Sequence, residues 1–402
     1  MPPSWTSRWF VDFMKSERPT PTAGRMADIG PFHVMELLGR ARELEAAGRD
    51  IVHMEIGEPD FTTPEPIIRR ARRALDARET HYTPALGLPS LRQAIAGHYR
   101  ERYGVEISPE RIVITPGASG ALLMALGVLL DRDDELLLAD PGYPCNRHFA
   151  RFVEGRARAI PVDARTRYQL DAEGLSAHWT KRSVAALVAS PSNPTGTLIE
   201  RSELAALAEA VREHGGRLVV DEIYHGLTYG IEAETILAVD DGAFVVNSFS
   251  KYYCMTGWRL GWLVVPEAYL RDVEKLMQNL FIAAPTLAQH AALAAFEPET
   301  RAILESRRTE FARRRDFLLP ALRDLGFEIP VEPRGAFYLY ADCSRFGDSM
   351  QFASDLLEQA GVAITPGLDF GSYRPAQHVR FAYTTSMEQL EEGVRRIAKF
   401  IR

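Results

Sequence analysis

The chain has 402 residues, 46% of them hydrophobic and 25% charged, with 29 Gly and 25 Pro. At roughly 150 residues per domain this is a globular protein of two or three structural units with a large core, which excludes collagen-like, wholly disordered and disulfide-stapled classes. The 47 Lys and Arg against 54 Asp and Glu leave a net charge of −7, the wrong sign for a protein whose main partner is a nucleic acid. Three widely spaced cysteines, Cys145, Cys254 and Cys343, offer neither a disulfide framework nor a paired metal site, so a reducing, cytoplasmic setting is expected. The longest apolar stretch, 121–130, has ten residues, and the N-terminus has no basic region followed by an apolar core. No membrane span and no export signal are therefore expected.

Residues 1–23 hold Pro2, Pro3, Pro19 and Pro21 around Trp5, Trp9 and Phe10 without a sustained period, and are expected to be an arm. A helical run through Met35 to Ala47 and a strand at Ile51 to Ile56 follow. Arginines cluster at Arg69, Arg70, Arg72 and Arg73, and again at Arg307, Arg308, Arg313, Arg314 and Arg315. Their helical spacing predicts solvated helix faces.

From about 110 to 280 the chain alternates helical patterns with apolar runs at 112–115, 136–139, 157–162, 185–190, 217–220, 243–248 and 260–265. Runs that are apolar nearly throughout predict strands covered on both faces. Between two of them Leu204, Leu207, Ala208 and Val211 mark a helix with Ser202 as its expected cap and Gly215-Gly216 as its end. Such alternation implies an α/β fold, a mostly parallel sheet between two helical layers. After about 300 come a long Arg-rich helix, a strand at 337–342, a helix near 350–360, and strands at 362–365 and 378–383. These predict a smaller α+β domain. The expected division is an arm at 1–23, a small domain from 24–61 plus 300–402, and a large domain at 62–299.

Ligands of open α/β sheets bind beyond the carboxyl ends of the strands. Five such ends carry chemistry here: Gly117-Ala118-Ser119-Gly120 opening a helix; Asp140-Pro141-Gly142-Tyr143; Asn193-Pro194-Thr195-Gly196; Asp221-Glu222-Ile223-Tyr224; and Ser248-Phe249-Ser250-Lys251. They offer an anion cradle, an aromatic plate, an amide, a carboxylate with a phenol, and a lysine. Neither G-x-G-x-x-G nor a Walker A pattern follows a strand, and Ala121 stands where a serine-hydrolase elbow needs Gly. Lys251 lies among Phe249, Tyr252, Tyr253 and Trp258, eight residues before Arg259. A semi-buried lysine can form a Schiff base, and Ser and Arg beside it would neutralise an anionic handle. His53, His81 and His225 lack metal spacing and are expected to pack or to support the site.

The run SFSKYYCMTGWRLGW, with DEIY and PSNPTG before it, resembles the class I and II aminotransferases, pyridoxal-phosphate enzymes of fold type I, over about residues 28–400. That resemblance implies that Lys251 carries the internal aldimine, that Asp221 pairs with the pyridinium nitrogen, and that Tyr224 and Asn193 bond the cofactor's phenolic oxygen. Tyr143 would stack on the ring, and Gly117, Ala118, Ser119, Ser248, Ser250 and Arg259 would surround the phosphate. Arg380, Asn193 and Gly57 would take the substrate α-carboxylate. Tyr82 is similar to the tyrosine that reaches the phosphate of the neighbouring subunit, which implies a homodimer with shared sites. The implied activity is ping-pong transfer of an amino group from an amino acid to a 2-oxo acid, with no nucleic-acid or membrane partner. Two rivals are a pyridoxal-phosphate β-lyase of the same fold, and a non-enzymatic regulator, for which the chain leaves no DNA-binding domain. Ser119 stands where some aspartate aminotransferases of this kind carry Lys, which points to a neutral or aromatic amino donor.

Overall fold

The protein is described by a computed structural model over residues 22–402. The expected arm at 1–23, with Trp5, Trp9 and Phe10, thus lies outside the described residues except for Thr22 and Ala23. The chain divides into Met1–Pro31 and Phe32–Arg402. The first unit contributes one 3-10 turn, Gly24–Ala27; every feature below belongs to the second.

Helix α1 spans His33–Ala46 and strand β1 Val52–His53. Strand β2 (Ile112–Thr115) runs into α2 (Gly117–Leu129), followed by β3 (Glu135–Asp140), β4 (Arg156–Pro161) and β5 (Ser183–Ala189). Helix α3 (Arg201–Glu213) leads to β6 (Arg217–Asp221), β7 (Phe244–Ser248) and β8 (Gly261–Val264). The strands β2 to β8 form one seven-stranded sheet in the order β2-β8-β7-β6-β5-β3-β4. Only β8 runs against its neighbours β2 and β7.

Alternate residues of each strand enter opposite faces, so two cores form. Ala186, Val188, Leu218, Val220 and Trp262 join Leu204, Leu207 and Val211 of α3 on one side. Ala185, Leu187, Val219, Val246 and Leu263 join Ala121, Leu122 and Met124 of α2 on the other. The sheet is thus the middle of three layers. One strand departs from the expectation: β4 pairs only with β3 and lies at the edge, where Ile160 alone is buried. Helix α3 begins earlier than its expected cap, Ser202. Glu200 is its first flanking residue, and its N–H donates to the Glu203 carboxylate at 2.8 Å.

The long helix α4 (Pro298–Asp324) precedes β9 (Tyr338–Asp342), β10 (Val362–Ala363), β11 (Thr365–Pro366), β12 (His378–Ala382) and the final helix α5 (Met387–Phe400). β11, β12 and β9 form an antiparallel sheet, and β1 pairs with β10. The run expected as one strand at 362–365 is therefore two, and the strand expected at 51–56 shrinks to Val52–His53. The solvated arginine faces hold only in part. Arg69 is exposed and pairs with Glu299, but Arg314 and Arg315 are buried with α4's apolar face. Arg314 donates to both Asp60 carboxylate oxygens at 2.8 and 3.0 Å, and Arg315 to the Pro333 carbonyl at 3.1 Å. Among the described residues no helix is long and apolar enough to cross a membrane.

Candidate active site

The carboxyl ends of β2, β3, β5, β6 and β7 meet at a cavity of about 320 Å³. Its wall holds Gly57, Ala118, Ser119, Tyr143, Asn193, Asp221, Tyr224, Ser250, Lys251, Arg259 and Arg380 together. Three other expected site residues stand apart from the wall. Gly117 has φ +71° and lies behind Arg259, where a Cβ would come within 2.6 Å of Nη2. Ser248 is buried below Ser250, accepting its N–H at 3.0 Å. Tyr82 is 81% exposed.

Each wall residue is placed by the strand before it. Asp221 ends β6 and is buried; its Oδ1 accepts the Ile223 N–H at 3.0 Å. Burial raises its pKa to about 6, opposed by that N–H and by the Lys251 charge. Lys251 follows β7 and donates to the Gly57 carbonyl at 2.6 Å. Burial lowers its amine to about 8. Arg259 donates to the Thr256 carbonyl at 2.9 Å, beside the first turn of α2 with its free N–H groups.

The small sheet faces these strand ends with Arg380 of β12. Nη1 donates to Asn193 Oδ1 at 3.0 Å and Nη2 to Thr365 Oγ1 at 3.1 Å, while Nε is buried with no partner. No described carboxylate pairs with it. Its guanidinium lies 4.2 Å from the Tyr338 ring centre and 5.0 Å from that of Phe370. Tyr338 is a wall residue that the sequence reading missed, visible there only as part of a strand. Its hydroxyl is 2.8 Å from that of Tyr224. A Cβ at position 57 would sit 2.1 Å from the same hydroxyl, which is why glycine stands there.

Also missed were Phe32, Val34, Met35 and Leu38 at the start of α1, with Ile56, Glu58, Leu122, Ala189, Ile223 and Thr256. Tyr143 and Asn193 also line a second cavity of about 270 Å³. His53 and His225 lie off the wall. His53 is raised to about 9 by its hydrogen bond to Glu55, and burial lowers His225, beside the Tyr103 hydroxyl at 2.9 Å, to about 3.

The family profile described as aminotransferase class I and II matches residues 49–397. A valine–pyruvate aminotransferase of Mycobacterium tuberculosis is 41% identical, covering 93% of this chain and 97% of its own. The aspartate aminotransferase of Bacillus subtilis is 33% identical over 94% and 98%. Among solved structures, an aminotransferase from M. tuberculosis matches with TM-score 0.92 and 41% identity over 95% and 99% of the two chains. The aspartate aminotransferase of Thermus thermophilus with maleate matches with TM-score 0.90 and 35% identity over 94% and 99%.

Proposed function

The chain belongs to the class I and II aminotransferases, and from that premise we propose a pyridoxal-phosphate enzyme that moves the α-amino group of a neutral apolar amino acid to pyruvate or 2-oxoglutarate with ping-pong kinetics. One observation carries this reading: a half-buried lysine, a buried carboxylate and an arginine without a carboxylate partner line the same cavity.

The donor set fits the cofactor. Asp221 has one oxygen held by a backbone N–H and a carboxyl pushed up to about 6 by burial, an environment that a pyridinium N–H would complete. The N–H groups at the start of α2, with Ser119, Ser250 and Arg259, form an anion cradle suited to a phosphate, and Gly117 leaves Arg259 the room to close it. Asn193 accepts from Arg380 through its oxygen, which leaves its NH₂ to donate to a phenolate oxygen. Tyr224, on the same wall, is proposed to donate to that atom and Tyr143 to cover the ring face. When bound, pyridoxal phosphate supplies an aldehyde that takes the amino group and a protonated ring that draws electrons from the substrate Cα.

Lys251 is the proposed covalent anchor, and its amine, lowered to about 8, is neutral often enough at physiological pH to attack a carbonyl. Once displaced by the substrate amine, Lys251 Nζ would carry the Cα proton to the cofactor carbon that receives the amino group. Arg380 binds the α-carboxylate, with Asn193 and Thr365 fixing its planar fork. Lys251, Arg259 and Arg380 then each have a task, and no described cation on the wall is left for a second carboxylate. The apolar side of the wall, Val34, Met35, Leu38, Ile56 and Leu122, fits an apolar side chain instead. The M. tuberculosis relative is named for valine and pyruvate, and the aspartate-named relatives are less similar.

A second copy of the chain is proposed to cover the Tyr82 face and bring Tyr82 to the partner's phosphate. Tyr82, Leu280 and Ile282 are exposed, and Thr286 ties the following segment to the His81 carbonyl at 2.9 Å. The proposed division is a small domain of 24–61 with 300–402, containing the β11-β12-β9 sheet, and a large domain of 62–299. The free thiols of Cys145, Cys254 and Cys343 suit the proposed cytoplasmic setting.

The test is a panel of amino donors followed by the absorbance of the bound cofactor. Valine, leucine or phenylalanine should convert it to the amine form with release of the oxo acid and no ammonia. Conversion by aspartate or glutamate alone, or ammonia release with a thiol leaving group, would overturn the reading.

A further inference from the structure

Helix α1 begins without a cap of its own. Phe32 precedes it in extended conformation, φ −100° and ψ 98°, and has no side-chain oxygen for the first N–H groups. Those groups are instead held from the far end of the chain. Asp369 Oδ1 accepts the His33 N–H and Oδ2 the Val34 N–H, each at 2.8 Å, across 336 and 335 residues. Asp369 is 1% exposed. A carboxylate with both oxygens on the first N–H groups of a helix makes charge-assisted bonds and opposes the positive end of the dipole.

What this clamp fixes is the apolar wall. Phe32, Val34, Met35 and Leu38 line the cavity, and the first three belong to the first turn that Asp369 holds. The rest of α1 is secured elsewhere: Arg40 donates to Glu358 at 2.6 Å, and Ala41 and Leu44 pack with Ile51, Leu357 and Ala363. Loss of the clamp would therefore free the first turn and leave the helix in place. The next residue, Phe370, packs on the Arg380 guanidinium at 5.0 Å. One turn, Gly367–Asp369 with Phe370, thus sets the distance between the carboxylate-binding arginine and the wall that faces the substrate side chain.

We propose that Asp369 is a positioning residue for substrate specificity: by holding the His33 and Val34 N–H groups it fixes the first turn of α1 as the apolar wall, and so favours donors with large apolar side chains over alanine. This rests on the reading of the cavity as the site of an amino acid.

The test compares kcat/KM for leucine or phenylalanine with that for alanine in the holoenzyme. Asp369→Ala removes both bonds and should lower the large-donor value about tenfold or more, chiefly through KM, and leave alanine within about threefold. Asp369→Asn keeps one acceptor oxygen and should fall between. Met35 is 57% exposed, so Met35→Ala tests the wall without threatening the fold. It should lower the large-donor value alone, and add little in the Asp369→Ala background, where the turn is already loose. Equal loss for alanine and large donors, or full additivity of the two substitutions, would overturn the proposal and leave Asp369 a support of folding only. The underlying reading fails separately, if the wild-type enzyme prefers dicarboxylic donors; the Asp369 proposal stands or falls on the ratio of large to small donors.

Discussion

The floor and the outer wall of the cavity are assembled by different routes. The floor comes from residues 118–259, each delivered by the strand it follows: Ser119, Asn193, Asp221, Ser250 and Lys251. The wall comes from the two ends of the second unit, Phe32–Glu58 and Tyr338–Arg380, joined by contacts such as Asp369 with His33 and Val34. The floor is a property of one sheet edge, while the wall exists only when distant segments meet. Changes in the floor should therefore act on the chemical step and appear in kcat. Changes in the wall should act on which substrates stay, and appear in KM.

The largest effect is expected at Lys251. Lys251→Ala removes the proposed covalent anchor and the proposed proton carrier, and turnover should fall by at least about 10⁴-fold. Borohydride should leave no cofactor mass on the variant; a wild-type yield of adduct would place the anchor on another lysine. The amine also carries a pH signature in the cofactor-free protein. Burial disfavours its charged form and lowers it to about 8, so labelling of Lys251 by an amine reagent should rise as pH passes through about 8 and level off below the ordinary lysine value. A rise still continuing above pH 10 would contradict that environment. Next is Asp221→Ala, which should lower kcat by about 10²–10³-fold with a small change in KM, since its proposed role is to stabilise charge as electrons enter the cofactor ring. A loss confined to KM would move Asp221 from the floor's chemistry to binding alone.

The sequence made the floor legible and left most of the wall hidden, for a physical reason. Strand ends are local: the apolar run that forms β6 announces where Asp221 will point, and β7 does the same for Ser250 and Lys251. Arg380 was found only through the family resemblance, and Gly57 likewise. Tyr338 looked like any strand aromatic, because its contact with Tyr224 joins residues 114 positions apart. Asp369 gave no signal, since helix capping is read from the residues that flank a helix and its helix starts at His33. The arginines of α4 misled for the same reason. Helical spacing predicts a face, but whether Arg314 is solvated depends on Asp60, which lies on another segment.

Arg380 belongs to the wall by origin and tests the comparison from that side. Arg380→Lys keeps the charge and loses the fork that Asn193 and Thr365 orient. KM for both amino acid and oxo acid should rise about 10- to 100-fold, in line with the worth of a charged, bidentate contact. Steady-state kinetics with each substrate varied in turn should show kcat much less affected. A fall in kcat as large as the rise in KM would show that the wall also takes part in the chemical step.

Tyr338 is where floor and wall touch, and it gives the smallest and most discriminating effect. Its hydroxyl meets Tyr224 at 2.8 Å and its ring lies 4.2 Å from the Arg380 guanidinium. Two substitutions separate these contacts. Tyr338→Phe removes only the hydroxyl, leaving Tyr224 one partner short. One neutral hydrogen bond is worth about 1 kcal/mol, so kcat should fall about fivefold and KM for the oxo acid should stay within about twofold. Tyr338→Leu also removes the ring, and with it the cation–π contact and the packing that hold the guanidinium flat. A further rise of about five- to tenfold in KM is expected there. If the hydroxyl changes KM and the ring changes kcat, the assignment of chemistry to the floor and selection to the wall is reversed at the residue they share.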